Sequence, residues 1–399
     1  MKKLLIIGGG ILQIAVIKKA KEMGVYTVVT DGDPNAMGLV LADKPYIVNI
    51  LDKEAVLIIA QTEKIDGVIH SCSEVAMHTM GFINDMMGLS GIGLETAIKA
   101  TNKEKMRQAF SVSNAPSPVS KGVATKEEAL IKIKEFNGDI IVKPSRNSGS
   151  RGITYLHKNP NERDIIAVFN RAIENSYDAS VVIEEYIDGP EFSVEIIIWN
   201  DEPHVITVTD KITSGSPYFV ELGHSQPSQY SIEELKLVKD AAISGCKALQ
   251  LDWCAAHAEI KLRNNKAYIV EIGARLGGDF ISSELVHLST GIDMVAAAIH
   301  LALGIEPDLT PRHAPQGAAI RYFTPKQGKI SKLSFNKKIK YNPHVYQLVV
   351  YKSVGDVLPE IKSSLDRSGH IITTGKNAKE AIVNAELVLN QIGYKIEMV

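Results

Sequence analysis

The chain has 399 residues, and 46 acidic residues nearly balance 44 basic ones, for a net charge of −2. That balance gives no chain-wide attraction to nucleic acid or anionic lipid, and 45% apolar with 23% charged residues excludes a disordered chain. Three widely spaced cysteines, Cys72, Cys246 and Cys254, exclude a disulfide framework or a structural zinc site, and no apolar run reaches the ~18 residues of a membrane span.

At roughly 150 residues per domain the length predicts two or three domains. Lys2-Lys3 ahead of the apolar stretch Leu4 to Ile17 has the outline of a secretory leader. However, Gly8-Gly9-Gly10 interrupts the run, and Lys18-Lys19 stands where cleavage needs small residues, so a cytoplasmic protein is expected. Leu4 to Ile7 reads as a buried strand, the glycines as a turn, and Ile11 to Met23 as a helix stopped by Gly24. Tyr26 to Thr30 is a second strand, Tyr46 to Asn49 a third, Lys53 to Lys64 a helix and Gly67 to His70 a fourth strand. Alternating strands and helices with short loops predict a parallel sheet covered on both faces, ending near residues 95–105.

Pro116 and Pro118 mark a linker at Ala115 to Ser120. Beyond it, helix Lys126 to Phe136, strand Ile140 to Lys143, loop Ser145 to Gly152, strand Ile153 to Leu156, helix Glu162 to Glu174 and strand Val181 to Glu185 form a small α/β segment. Alternation over Glu191 to Ile198 and His204 to Lys211 predicts antiparallel strands. Ile232 to Leu249 reads as a helix, Cys254 to Ile272 as a hairpin, and the last ~90 residues as a separate α+β unit.

Four constellations carry chemistry. Gly8-Gly9-Gly10-Ile11-Leu12-Gln13, with Asp31 at the end of the second strand, is half of a dinucleotide fingerprint. Gln13 replaces its third glycine, so a tight turn in a doubly wound domain explains it equally well. Lys143 ends a strand and enters a loop of serine, asparagine, arginine and glycine. Such a loop can close over polyphosphate, although it is not a Walker loop and could also be a polar hairpin. Glu184, Glu185 and Glu191 gather at a strand end, where carboxylates can bond adenine and ribose or simply face water. Glu259 and Glu271 lie on successive strands. A three-residue loop Asn264-Asn265-Lys266 would pair Arg263 with Ala267 and set the two acids opposite each other. Like charges on one sheet face repel, so their natural use is to share a hard cation such as Mg²⁺, with Arg275 beside it for a transferring phosphoryl group; the alternative is an exposed polar face, against which the flanking Ala255, Ala256, Ile260, Ile269, Val270 and Ile272 are apolar.

In this order the pieces resemble the ATP-grasp superfamily over roughly residues 1–305. The segment Glu271-Ile-Gly-Ala-Arg-Leu-Gly-Gly278 and the segment Phe219-Val-Glu221-Leu-Gly-His224-Ser-Gln-Pro227-Ser are similar to its carboxylate–amine ligase branch, which holds L-amino-acid ligases and carnosine-synthase-like enzymes. There is also similarity to carbamoyl-phosphate synthase large-subunit-like proteins. The resemblance implies a multidomain α/β and α+β fold. A Rossmann-like domain at 1–105 that does not normally bind NAD would precede an ATP-grasp domain at 106–305, with a lid at about 115–187, and an α+β unit at 306–399. It implies ATP and Mg²⁺ as cofactors. Lys103, Lys143, Ser148, Gly149, Ser150, Glu184, Glu185, Ile187 and Glu191 would bind nucleotide, Glu259 and Glu271 the metal, and Arg275 and Lys143 the transferred charge. Glu221, His224, Arg275, Gly277 and Gly278 would meet substrate.

Gly273 occupies the position where the family pattern has a metal-binding asparagine, so a second Mg²⁺ would be held more loosely. The implied reaction activates a small-molecule carboxylate as an acyl phosphate for attack by an amine, on amino-acid-like substrates, without nucleic acid or membrane partners. A homodimer is the common assembly. The alternatives are a bicarbonate-activating carboxylase or carbamoyl-phosphate-type enzyme, a non-enzymatic ATP-binding regulator, and an NAD(P) oxidoreductase built on Gly8 to Gln13.

Overall fold

The computed structural model describes residues 1–147 and 149–397. Its first sheet is parallel, built from β1 (Lys3–Ile7), β2 (Tyr26–Asp31), β3 (Lys44–Ile47) and β4 (Gly67–Ile69) in the order β3-β2-β1-β4. Leu4 and Ile6 pack with Val16, Ile17 and Ala20 of helix Ile14–Glu22, whereas Leu5 and Ile7 pack with Val56 and Ala60 of helix Lys53–Glu63. A strand buried on both faces needs apolar residues at every position, which is why Leu4 to Ile7 read as an unbroken run.

The glycine turn after β1 is occupied by the protein itself. Gly9 N–H donates to Asp31 Oδ2 at 2.6 Å, and Gly38 N–H donates to the Gly9 carbonyl at 2.7 Å. A Cβ on Gly38 would lie 2.7 Å from Gly9 Cα, and Gln13 turns inward to donate to the Ser71 carbonyl. The turn and the acid that would hold a dinucleotide hold each other.

The expected linker is not loose chain. Pro116 accepts a hydrogen bond from Ile269 N–H, and the chain then enters an antiparallel sheet of β5 (Ser120–Val123), β6 (Ile140–Pro144), β7 (Thr154–Leu156) and β8 (Val181–Glu185), in the order β5-β8-β6-β7. Helices Lys126–Lys132 and Glu162–Glu174 bury one face of this lid through Ala129, Ile165, Phe169 and Ala172.

A second antiparallel sheet forms the body. It contains β9 (Glu191–Trp199), β10 (Glu202–Thr213), β11 (Glu221–Gln226), β12 (Cys254–Arg263) and β13 (Lys266–Gly273). The C-terminal unit shares this sheet. β14 (Gly317–Tyr322) pairs with the open edge of β11, so the sheet continues as β13-β12-β9-β10-β11-β14-β18-β16, with β16 being Val345–Val350 and β18 Gly369–Gly375. An unpaired edge strand is a template for pairing, and β14 covers it. Only β15 (Gly328–Phe335), β17 (Val357–Leu358) and β19 (Ile392–Glu397) form their own small sheet. Among the described residues no helix is long and apolar enough to cross a membrane.

The hairpin β12–β13 differs from the expected register in an instructive way. Asn264 and Asn265 both have positive φ, 52° and 56°, which makes a two-residue turn and pairs Arg263 with Lys266. That register alone would set Glu259 opposite Val270. A bulge between Glu259 and Ile260 inserts one residue on the β13 side and brings Glu259 opposite Glu271 after all. The two offsets cancel.

The parallel sheet and the body meet where β4 touches helix Met294–Ala302. A Cβ on Gly67 would fall 2.0 Å from the Ala302 carbonyl oxygen, so only glycine fits. Gly67→Val should destabilise the chain by about 3 kcal/mol or more, read as a lower denaturation midpoint at unchanged slope.

Candidate active site

Between the lid and the body sheet lies a cleft that runs into a second space beneath the lid strands. The two share Lys143, Ser150, Ile153, Glu221 and Glu259. The first is the polar end, where Lys103, Lys143, Glu259, Glu271 and Arg275 converge. The second is lined by Ile141, Ile187, Phe219 and Val270 with Glu185 and Glu191 at its rim, a slot for a flat apolar-faced group.

The polar end is a set of matched charges. Lys103, at the start of helix Lys103–Val112, is 4% exposed and donates to Glu271 Oε1 at 3.0 Å and to the Asn147 carbonyl. Burial works against its charge, but Glu271 outweighs burial and raises its pKa. Lys143 donates to Glu184 Oε2 at 2.9 Å, and Arg107 Nε lies 2.7 Å from Glu184 Oε1. Burial would raise the Glu184 pKa, yet Arg107 and then Lys143 hold it down at about 2. Arg275 donates from Nε to Glu74 Oε1 at 2.8 Å, and Glu74 sits in the loop that follows β4. Lys211 on β10 lies 2.7 Å from Glu191 and 2.9 Å from Glu259. Despite burial, those two acids hold its ammonium protonated well above the usual lysine range. His257, two residues before Glu259 on β12, places Nδ1 2.5 Å from Glu195 Oε1. Burial opposes a charged ring, but Glu195 outweighs it and carries the His257 pKa up to about 9.

The sequence-expected residues therefore divide. Lys103, Lys143, Gly149, Ser150, Glu221, Glu259, Glu271 and Arg275 line one cleft, and Ile187, Glu185 and Glu191 line its continuation. Ser148 lies outside the described residues. Glu184 also lines the continuation, with its side chain buried and paired to Lys143 and Arg107. Three expected substrate contacts lie elsewhere. His224 is 1% exposed and borders neither part of the cleft. Its Nε2 faces Asp279, which Arg367 clamps with two bonds of 2.7 Å while Arg367 stacks on Tyr322. Gly277 and Gly278 do not border it either. Gly277 N–H donates to Ser282 Oγ, which donates in turn to Glu195, and glycine is needed there because a Cβ would lie 2.7 Å from the His257 ring. Gly278 packs by the Cys72 carbonyl.

Glu74, Arg107, Glu195, Lys211 and His257 were not singled out from the sequence. Two signals were present. Lys211 lies in a strand with period-2 alternation, and His257 shares the face of Glu259 by that same period. Glu74 follows a parallel strand at its carboxyl end, the customary ligand-binding edge of such sheets. Gly273 is covered by Arg275, whose Cζ would lie 3.2 Å from a Cβ there, so an asparagine would crowd that guanidinium.

Residues 136–284 match the family model described as ATP-grasp domain, and residues 321–397 match L-amino acid ligase C-terminal domain 2. The chain is similar to alanine–anticapsin ligase of Bacillus subtilis, 26% identical over 65% of this chain and 60% of that one. It is also similar to the carbamoyl phosphate synthase large chain of Methanothermobacter thermautotrophicus, 25% identical over 77% of this chain but only 31% of that one. The crystal structure of L-amino acid ligase from Bacillus licheniformis superposes with a TM-score of 0.84 at 21% identity, covering 100% of this chain and 99% of that one. Beside the lid, the lysine-lined cleft and the acidic hairpin, residues 136–284 carry an ATP-grasp domain, and the relatives and structural neighbours of the chain are ATP-dependent ligases. ATP-grasp enzymes bind ATP.

The charge network makes a pH prediction. Glu184 has a folded pKa near 2 against an ordinary 4.5, so its stabilising effect is complete above pH 4.5 and lost as pH falls toward 2. Glu184→Gln leaves Lys143 and Arg107 without their acid. It should lower stability at neutral pH by about 3 kcal/mol and flatten the acid limb of the denaturation profile below pH 4.5.

Proposed function

We propose that the protein joins a small carboxylic acid to an amine, activating the acid as an acyl phosphate at the expense of ATP, with amino-acid-like molecules on both sides of the new amide. The observation that carries this reading is the cross-strand pair Glu259 and Glu271 facing Lys103, Lys143, Lys211 and Arg275 in one cleft. The match of residues 321–397 to L-amino acid ligase C-terminal domain 2 supports the choice of substrates.

The donor set fits a divalent cation. Both acids offer hard carboxylate oxygens, and the Oε2 atom of each carries no hydrogen bond among the described residues. Glu259 and Glu271 would hold Mg²⁺, which would neutralise charge on the phosphates during transfer. Lys103 and Lys143 reach the same space and would hold the phosphate oxygens, positioning them for in-line transfer. Ile187, whose N–H has no partner among the described residues, would receive the adenine edge, and Glu191 the ribose hydroxyls. Arg275 would stabilise charge on the acyl phosphate, and Glu221, held by Ser364 Oγ at 2.6 Å, would accept the ammonium of a substrate. Residues 149–152 cover the polar end, where water would hydrolyse an acyl phosphate.

Purified protein should release ADP and phosphate only when an acid and an amine are both supplied from an amino-acid panel, with a product mass equal to their sum less water. Glu271→Ala should lower that rate by at least about a hundredfold while leaving the far-ultraviolet spectrum unchanged. ATP cleavage driven by bicarbonate instead would favour the carboxylase alternative. ATP binding without cleavage across the panel would favour a regulator.

A further inference from the structure

The carboxylates of the cleft are not free. Glu271 is matched by Lys103, Glu74 by Arg275, Glu195 by His257, and Glu184 by Lys143 and Arg107. Lys211 differs in serving two acids that belong to two different jobs. Its ammonium lies 2.7 Å from Glu191 Oε1, at the nucleotide slot, and 2.9 Å from Glu259 Oε1, at the proposed metal position. Its side chain is 3% exposed. Among the described residues no cluster of three or more His, Cys, Asp or Glu is arranged to take a cation.

We infer that Lys211 is an internal counter-ion occupying the metal's electrostatic place at Glu259, so that nucleotide must be present before a divalent cation can bind. The inference rests on the proposed reading of Glu259 and Glu271 as metal ligands. A divalent ion bound to Glu259 would share that carboxylate with the ammonium already 2.9 Å from it, and like charges in a partly dehydrated site repel strongly. Lys211 cannot simply withdraw, because a buried ammonium stripped of its acids is costly and its side chain has almost no access to water. A polyphosphate removes both obstacles. It offers Lys211 and Lys103 replacement anions, and it supplies the cation with the oxygen ligands that a pair of carboxylates lacks. Lys211 is thus a positioning residue that sets the order of assembly, and it keeps Glu191 and Glu259 apart from solvent cations until the nucleotide arrives.

The test is Mn²⁺ uptake by the full chain, read from the electron paramagnetic resonance signal of free Mn²⁺, with and without ADP. Wild type should take up Mn²⁺ only when ADP is present. Lys211→Met should bind Mn²⁺ without nucleotide at least about tenfold more tightly than wild type, and Lys211→Arg should restore the nucleotide requirement. Equal nucleotide-free affinity in wild type and Lys211→Met overturns the inference. The ADP arm separates it from the reading beneath it. If Glu259→Gln leaves Mn²⁺ binding with ADP unchanged, the metal assignment falls and the inference with it. If Glu259→Gln abolishes that binding while Lys211→Met behaves as wild type, the inference alone falls. Should Lys211→Met not fold, Glu191→Gln/Lys211→Met removes the charges together, and the same outcomes apply.

Discussion

Two carboxylates held opposite each other on adjacent strands repel, and the rest of the cleft is arranged around that repulsion. β12 and β13 fix Glu259 against Glu271 through backbone hydrogen bonds, so neither can escape by moving its strand. The chain answers with cations from other elements: Lys103 from a helix on the far side of the lid junction, and Lys211 from β10. His257, on the same strand, adds a partly shared contact at 3.7 Å. Without those partners a half-buried acidic pair would shift its protonation rather than stay charged.

The arrangement has a dynamic consequence. The lysines paired with acids of the cleft are also the groups proposed to hold phosphates, so ligand binding would exchange one set of ion pairs for another instead of creating charge contacts from nothing. Such an exchange keeps the buried charges compensated at each stage. It also gives a role to the double pairing of Glu184, one of two fully buried acids among the described residues. With Arg107 as a second partner, it remains neutralised whether or not Lys143 is drawn toward a ligand.

The fold was legible wherever a local pattern determined it. Unbroken apolar strands alternating with amphipathic helices specify the parallel sheet, and Lys103, Lys143, Glu259, Glu271 and Arg275 stand in recognisable order along the chain. What could not be read depends on contacts distant in sequence. Nothing local says that β14 will close the edge of β11, nor that Glu184 faces inward to Arg107, 77 residues away. Lys211 and Glu195 look like ordinary strand residues until β9, β10 and β12 are laid side by side. The hairpin shows a subtler limit: the right partner was reached through the wrong loop, because a bulge restored the register that the short turn had shifted.

The central claim is that Glu259 and Glu271 grip one divalent ion together with a nucleotide's terminal phosphates. Crystals grown with Mn²⁺ and a non-hydrolysable ATP analogue test it most directly through anomalous scattering. The account predicts a manganese peak at roughly 2.1–2.3 Å from an oxygen of each acid and bonded to the phosphate chain. A peak bound to the phosphates alone, with Glu259 and Glu271 still paired to Lys211 and Lys103, would contradict it.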